Sequence, residues 1–164
     1  MLAISIEHFF ENFGMAMFIL ALLIVLFTYK TSTTPPLENL FRWLCLLPLG
    51  VNGIYSFIMH GFFGDMTASL IGWHNSPFQW EVAVANLGFG LIGLMAFKAS
   101  MGFRKAVVIV SSCWLWGAGL GHIYQMIEQH DFALGNAGSW FWLDMFLPLV
   151  LIVCFARMSQ QNKF

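Results

Sequence analysis

Residues 15–27 read MAMFILALLIVLF, thirteen apolar positions without a break. Such a run has neither the alternation of a membrane strand nor the polar stripe of a surface helix. With its flanks it extends over about 7–29, near the ~20 residues that a helix needs to cross the hydrocarbon of a bilayer. Four further stretches of the same kind follow, at about 40–63, 79–97, 106–127 and 139–156. The reading is an all-α integral membrane bundle of five transmembrane helices, forming one domain over 1–164.

Composition agrees with it. The chain is 59% hydrophobic and 9% charged, and its mean hydropathy is +0.76. A soluble domain of this length has no use for so much apolar surface. The net charge of −1 offers no basic patch, so nucleic acid is not expected as a partner. The N-terminal residues carry Glu7, His8 and Glu11 and no Lys or Arg, unlike a signal peptide, and are read as retained. Cys45, Cys113 and Cys154 sit in separate apolar spans without a CxxC and read as small packing residues.

The breaks fall where helices end. Thr33-Thr34-Pro35-Pro36 separates the first two spans, Ser76-Pro77 opens the third, and Gly135-Asn136-Ala137-Gly138 precedes the fifth. The segment 65–78 is too short and mixed to cross. It is expected to lie in the interface or to dip into it.

The charges then sort by side. Lys30, Arg42, Lys98, Arg104, Lys105, Arg157 and Lys163 all flank the first and third loops or follow the last span. The other loops have none, so the positive-inside rule puts the N-terminus out and the C-terminus in. Every histidine, and every carboxylate except Glu38, falls on the outer side. Trp73, Trp80, Trp140 and Trp142 would form an outer aromatic belt.

Counting from the basic anchors at 1.5 Å per residue, His60, Glu81 and His122 share a layer roughly 25–27 Å up, with Asp144 at about 20 Å. His8 and Glu11 lie at or above that layer. Asn52, Ser56 and His60 recur every fourth residue and make one stripe. His122 and Gln125 share a face of the fourth helix. Ionisable groups at such depth usually face the bundle interior or water and often carry function. Imidazole together with carboxylate suits a divalent or transition metal ion. The candidate ligands are Glu81, His122, Asp144, Gln125 and His60, supported by Asn86, Asn136 and Asn52, with Asn136 at the mouth. No HExxH motif fixes such a site.

Structural explanations stand beside this one. Glu81 is near a helix start, where the helix dipole favours a carboxylate. His122 and Asp144 could clamp two helices. Glu7, His8 and Glu11 could be an exposed helix start, and His74 and His130 are expected to be solvated. Gly117 and Gly121, with Gly90 and Gly93, predict that the third and fourth helices are close neighbours, or else mark a homo-oligomer contact.

Two groups of motifs are familiar: Ile71-Gly72-Trp73 with 76–81 (SPFQWE) and 85–90 (ANLGFG), and 121–125 (GHIYQ) with 135–138 (GNAG) and Asp144. Over roughly 71–151 they resemble a family of small bacterial integral-membrane proteins of unknown function. They are more loosely similar to DoxX-like bundles, which are associated with quinone-linked membrane oxidoreductase systems. The resemblance implies a fold and the site residues Glu81, Asn86, His122, Gln125, Asn136 and Asp144, but no reaction. The expected protein is a multi-pass protein of a bacterial inner membrane, with a periplasm-facing pocket for a metal or other cation. The alternatives are an accessory subunit of a larger membrane complex and a proton-coupled transporter or membrane acid–base enzyme.

Overall fold

The computed structural model describes residues 8–161; Glu7 and Lys163 lie outside them. All regular structure among these residues is helical: α1 Phe13–Thr28, α2 Pro36–Phe62, α3 Gly64–Ile71, α4 Phe78–Ala96, α5 Met101–Glu128, the short α6 Leu134–Ala137 and α7 Ser139–Gln161. Of these, α2, α4, α5 and the continuous α6–α7 stretch are long and apolar enough to cross a membrane. The chain is therefore read as a multi-pass membrane protein.

The first expected span is shorter than its sequence suggests. A turn at Asn12, whose side-chain amide donates to the His8 carbonyl, separates residues 8–11 from α1. At 16 residues, α1 is about 24 Å long. α2, α5 and α7 run past their expected limits at the basic end, whereas α4 stops at Ala96. α2 starts at Pro36, because proline at a first helical position loses no hydrogen bond there. α5 takes in Arg104 and Lys105, with the Ser100 side chain accepting from the Phe103 amide at its start.

The helices form a ring in the order α4, α2, α1, α7, α5. α2 packs along α4 and α5 along α7, while α1 joins α2 to α7. The α2–α4 contact is backbone on backbone. A Cβ placed on Gly53 would lie 2.7 Å from the Gly90 Cα, and one on Gly93 would lie 2.8 Å from the Gly50 nitrogen. This corrects the expected pairing of the third and fourth transmembrane helices. Gly90 and Gly93 meet α2, whereas nothing lies within 4 Å of a Cβ on Gly117 or Gly121. Ring closure between α4 and α5 is consequently loose, as is the contact of α1 with α7.

Midway, α2 widens into a π-helical stretch over Cys45–Val51 that contains Pro48. Proline has no amide to donate and its ring crowds the carbonyl four residues back, and a wider turn relieves both. Below this stretch Phe41 and Leu44 enter the core with Leu147, Leu151 and Cys154 of α7.

At the basic end the core is closed by Arg104, which is only 3% exposed. Its Nε donates to the Ala96 carbonyl (3.1 Å) and Nη2 to the Phe97 carbonyl (3.2 Å), both at the end of α4. Nη1 donates to Glu38 Oε1 on α2 (3.1 Å), which also accepts from Arg42 (2.7 Å).

Candidate functional site

At the opposite end the ring encloses a cavity of about 520 Å³. Asn52, Tyr55, Ser56 and His60 line it from α2, and Val82 and Asn86 from α4. Cys113, Trp114, Gly117 and His122 do so from α5, and Trp140 and Asp144 from α7. α3 and the following loop roof it with Leu70, Ile71, Trp73 and His74. The segment expected at the interface is therefore a cap over the cavity. His74, expected to be merely solvated, is exposed and yet lines it.

The cap is held by a sharp turn. Gly72 ends α3 with φ +87°, and a Cβ there would sit 2.5 Å from Asp131 Oδ1. Only glycine suits both the left-handed backbone and the close approach. Asp131 Oδ1 in turn accepts from the Ala133 amide (3.0 Å) and so fixes the start of α6.

Asn136 on α6 is fully buried. Its Nδ2 donates to the carbonyls of Asp131 (2.8 Å) and His122 (3.3 Å). Those two acceptors fix the amide's orientation and leave Oδ1 to accept from His122 Nδ1 at 2.7 Å. A neutral His122 therefore carries its proton on Nδ1 and presents a bare Nε2. That nitrogen stands 3.7 Å from Asp144 Oδ2, an ion-pair separation too long for a hydrogen bond. Two acceptors thus face each other with room for a shared donor. Among the described residues no hydrogen bond reaches the Asp144 carboxylate, and no Lys or Arg lines the cavity. The Trp73 ring lies 5.6 Å from that of His122.

Replacing Asn136 with leucine strands the His122 N–H and the Asp131 carbonyl in a buried place. It is expected to cost about 2 kcal/mol, read as a lower melting temperature of the detergent-purified protein. A variant as stable as wild type would show that Asn136 does not hold the site together.

The remaining candidates divide. His60 lines the same cavity and is hydrogen-bonded through Nδ1 to Gln79 Oε1. Asn86 lines it while its amide donates to the Val82 carbonyl (2.9 Å). Asn52 lines it too, with Oδ1 buried and unpartnered beside Gly14. Glu81, expected at the centre, is exposed and does not line the cavity. Val82 and Asn86 face inward, and one residue is a turn of about 100° on a helix. Gln125 is half-buried near the end of α5 and also lies outside the lining. Asn136 stands behind His122 rather than at the mouth. His8 bonds its neighbour Glu11 at 2.8 Å, away from the cavity. Among the described residues, no group of three or more His, Cys, Asp or Glu is arranged to hold a metal ion.

Sequence reasoning missed the aromatic wall. Tyr55 stacks parallel to Trp140 (6.2 Å) and on Phe13 (4.3 Å). Tyr55 donates to the Phe10 carbonyl (2.9 Å), and the Trp140 indole to the Glu11 carbonyl (2.6 Å). Amphipathic rings at helix ends were readable as an interface belt, but not as a cavity lining.

The chain belongs to a family of unknown function, DUF6790, which matches residues 11–164. The kinship thus covers α1 and α2 as well, and it brings no link to DoxX-like bundles. No curated protein and no solved structure matches the chain.

Proposed function

We propose that this member of a family without assigned activity is a bacterial inner-membrane protein whose periplasm-facing cavity binds a cationic ligand between Asp144 and His122. The observation that carries the reading is the pair of acceptors 3.7 Å apart in a cavity lined by no Lys or Arg. A donor with two or more N–H groups satisfies both at once, and its positive charge offsets that of Asp144. The basic end, with Arg42, Arg104 and Lys105, is assigned to the cytoplasm by the positive-inside rule. The cavity then lies in the outer half of the bundle, beneath its cap.

An organic ammonium fits better than a bare metal ion. A metal needs three or four ligands in one shell, and here two groups meet. The volume of about 520 Å³ lies in the range of small-molecule pockets, and such pockets are largely apolar with a few oriented polar groups. Trp73, Trp114, Trp140 and Tyr55 line the wall, and aromatic rings attract a cation.

The test adds octylamine, octanol or Zn²⁺ to detergent-purified protein and follows melting temperature and bound mass. Octylamine is expected to bind where octanol does not, and Asp144→Asn is expected to weaken it at least about tenfold. Stoichiometric Zn²⁺, lost in both Asp144→Asn and His122→Ala, would replace the ammonium with a metal. If nothing binds, the polar cluster is a structural clamp, as in an accessory subunit.

A further inference from the structure

The cavity wall is not closed on all sides. Cys113 and Gly117, one turn apart on α5, line it and are both exposed. Phe78 at the start of α4 lines it as well, and is 68% exposed. These residues flank the α4–α5 seam, where the ring packs sparsely. α4 and α5 are tied towards the basic end by Arg104 and by the stacking of Phe89 on Trp114 (5.1 Å). Above that stack the seam is bordered by small side chains on α5, and Gly117 has no neighbour within 4 Å of a Cβ. In a bilayer, an opening at this depth faces acyl chains and not water.

We propose that the cavity is filled sideways, from the outer leaflet, by an amphipathic amine. Its charged head rests between Asp144 and His122, and its chain leaves through the α4–α5 seam past Gly117 and Cys113. This rests on the cation-binding reading for the head group alone. The path of the chain follows from the ring and its open seam. Charge complementarity chooses the ligand class: the inner pole is a carboxylate beside a lone pair, and the way in is apolar. A head group with a net negative charge would meet Asp144 with nothing to offset it.

Gly117→Trp is chosen to plug the seam, because a Cβ at that position meets nothing within 4 Å. Wild type and Gly117→Trp are compared in vesicles of phosphatidylcholine and phosphatidylglycerol loaded with dodecylamine or butylamine. Protein-bound amine is read by native mass spectrometry. Dodecylamine occupancy is expected to fall about tenfold in the variant, with butylamine within about twofold of wild type because it fits inside the cavity. Equal dodecylamine occupancy in both proteins overturns lateral entry and leaves the cation site intact. If neither amine binds wild type, the cation reading fails and dodecanol becomes the probe. Dodecanol that binds wild type and not Gly117→Trp keeps the lateral route; dodecanol that binds neither protein, or both equally, overturns it.

Discussion

Arg104→Ala is expected to destabilise the bundle by about 3 kcal/mol, the low end for removing one partner of a buried ion pair, because Arg104 is buried but Glu38 only half-buried. Three effects combine. The end of α4 loses the donors that pair its Ala96 and Phe97 carbonyls. Glu38 keeps only Arg42. The packing of the guanidinium over the Phe41 ring, at 5.6 Å, is also lost. Lysine is not a substitute, since one ammonium cannot reproduce the fork that serves two carbonyls and a carboxylate together. Arg104→Lys should therefore fall between wild type and alanine. The measurement is unfolding of the detergent-solubilised protein by sodium dodecyl sulfate. An alanine variant within about 1 kcal/mol of wild type would mean that the pair contributes no more than an exposed surface bridge.

The second large effect is expected at Gly53. Gly53→Val places a Cβ and two methyl groups where the Gly90 backbone lies, 2.7 Å from where that Cβ would stand. Backbone cannot rotate away as a side chain can. α2 and α4 must part, at a cost of about 3 kcal/mol, the upper part of the usual range for overpacking. Gly117→Ala is the control, since open space at that position predicts almost no change. Equal stabilities for the two variants would show that the α2–α4 approach is not tight.

The spans were legible because lipid imposes its demand on each helix separately, whatever the helix packs against. The apolar stretch at 139–156 needs no partner to be read as long enough to cross, whereas MAMFILALLIVLF at 15–27 is as apolar but lies in a helix of only 16 residues. The gathering of histidines and carboxylates at one end was legible for the same reason, since depth is a one-dimensional count. Rotation about the helix axis was not. Glu81 and Val82 have nearly the same depth, yet only Val82 faces the cavity. Likewise Gly90 and Gly117 looked alike as packing positions, and only the first meets a neighbouring backbone. Asn136 was marked by resemblance, but its task of fixing the His122 proton depends on a contact across 14 residues that no spacing rule supplies. The roof over the cavity was hidden in a segment whose composition suited an interfacial loop equally well.

The π-helical stretch around Pro48 has one more consequence. Each extra residue that a wide turn absorbs rotates everything beyond it by about 100° relative to what lies before. α2 is therefore two helices in different phase, joined end to end. The phase before the stretch aims Phe41 and Leu44 at the core, and the phase after it aims Asn52, Ser56 and His60 at the cavity. One continuous membrane crossing thereby answers two independent angular requirements. A single-residue deletion between Cys45 and Val51 would leave the hydrophobic length almost unchanged while swinging the polar stripe of α2 out of register with its neighbours.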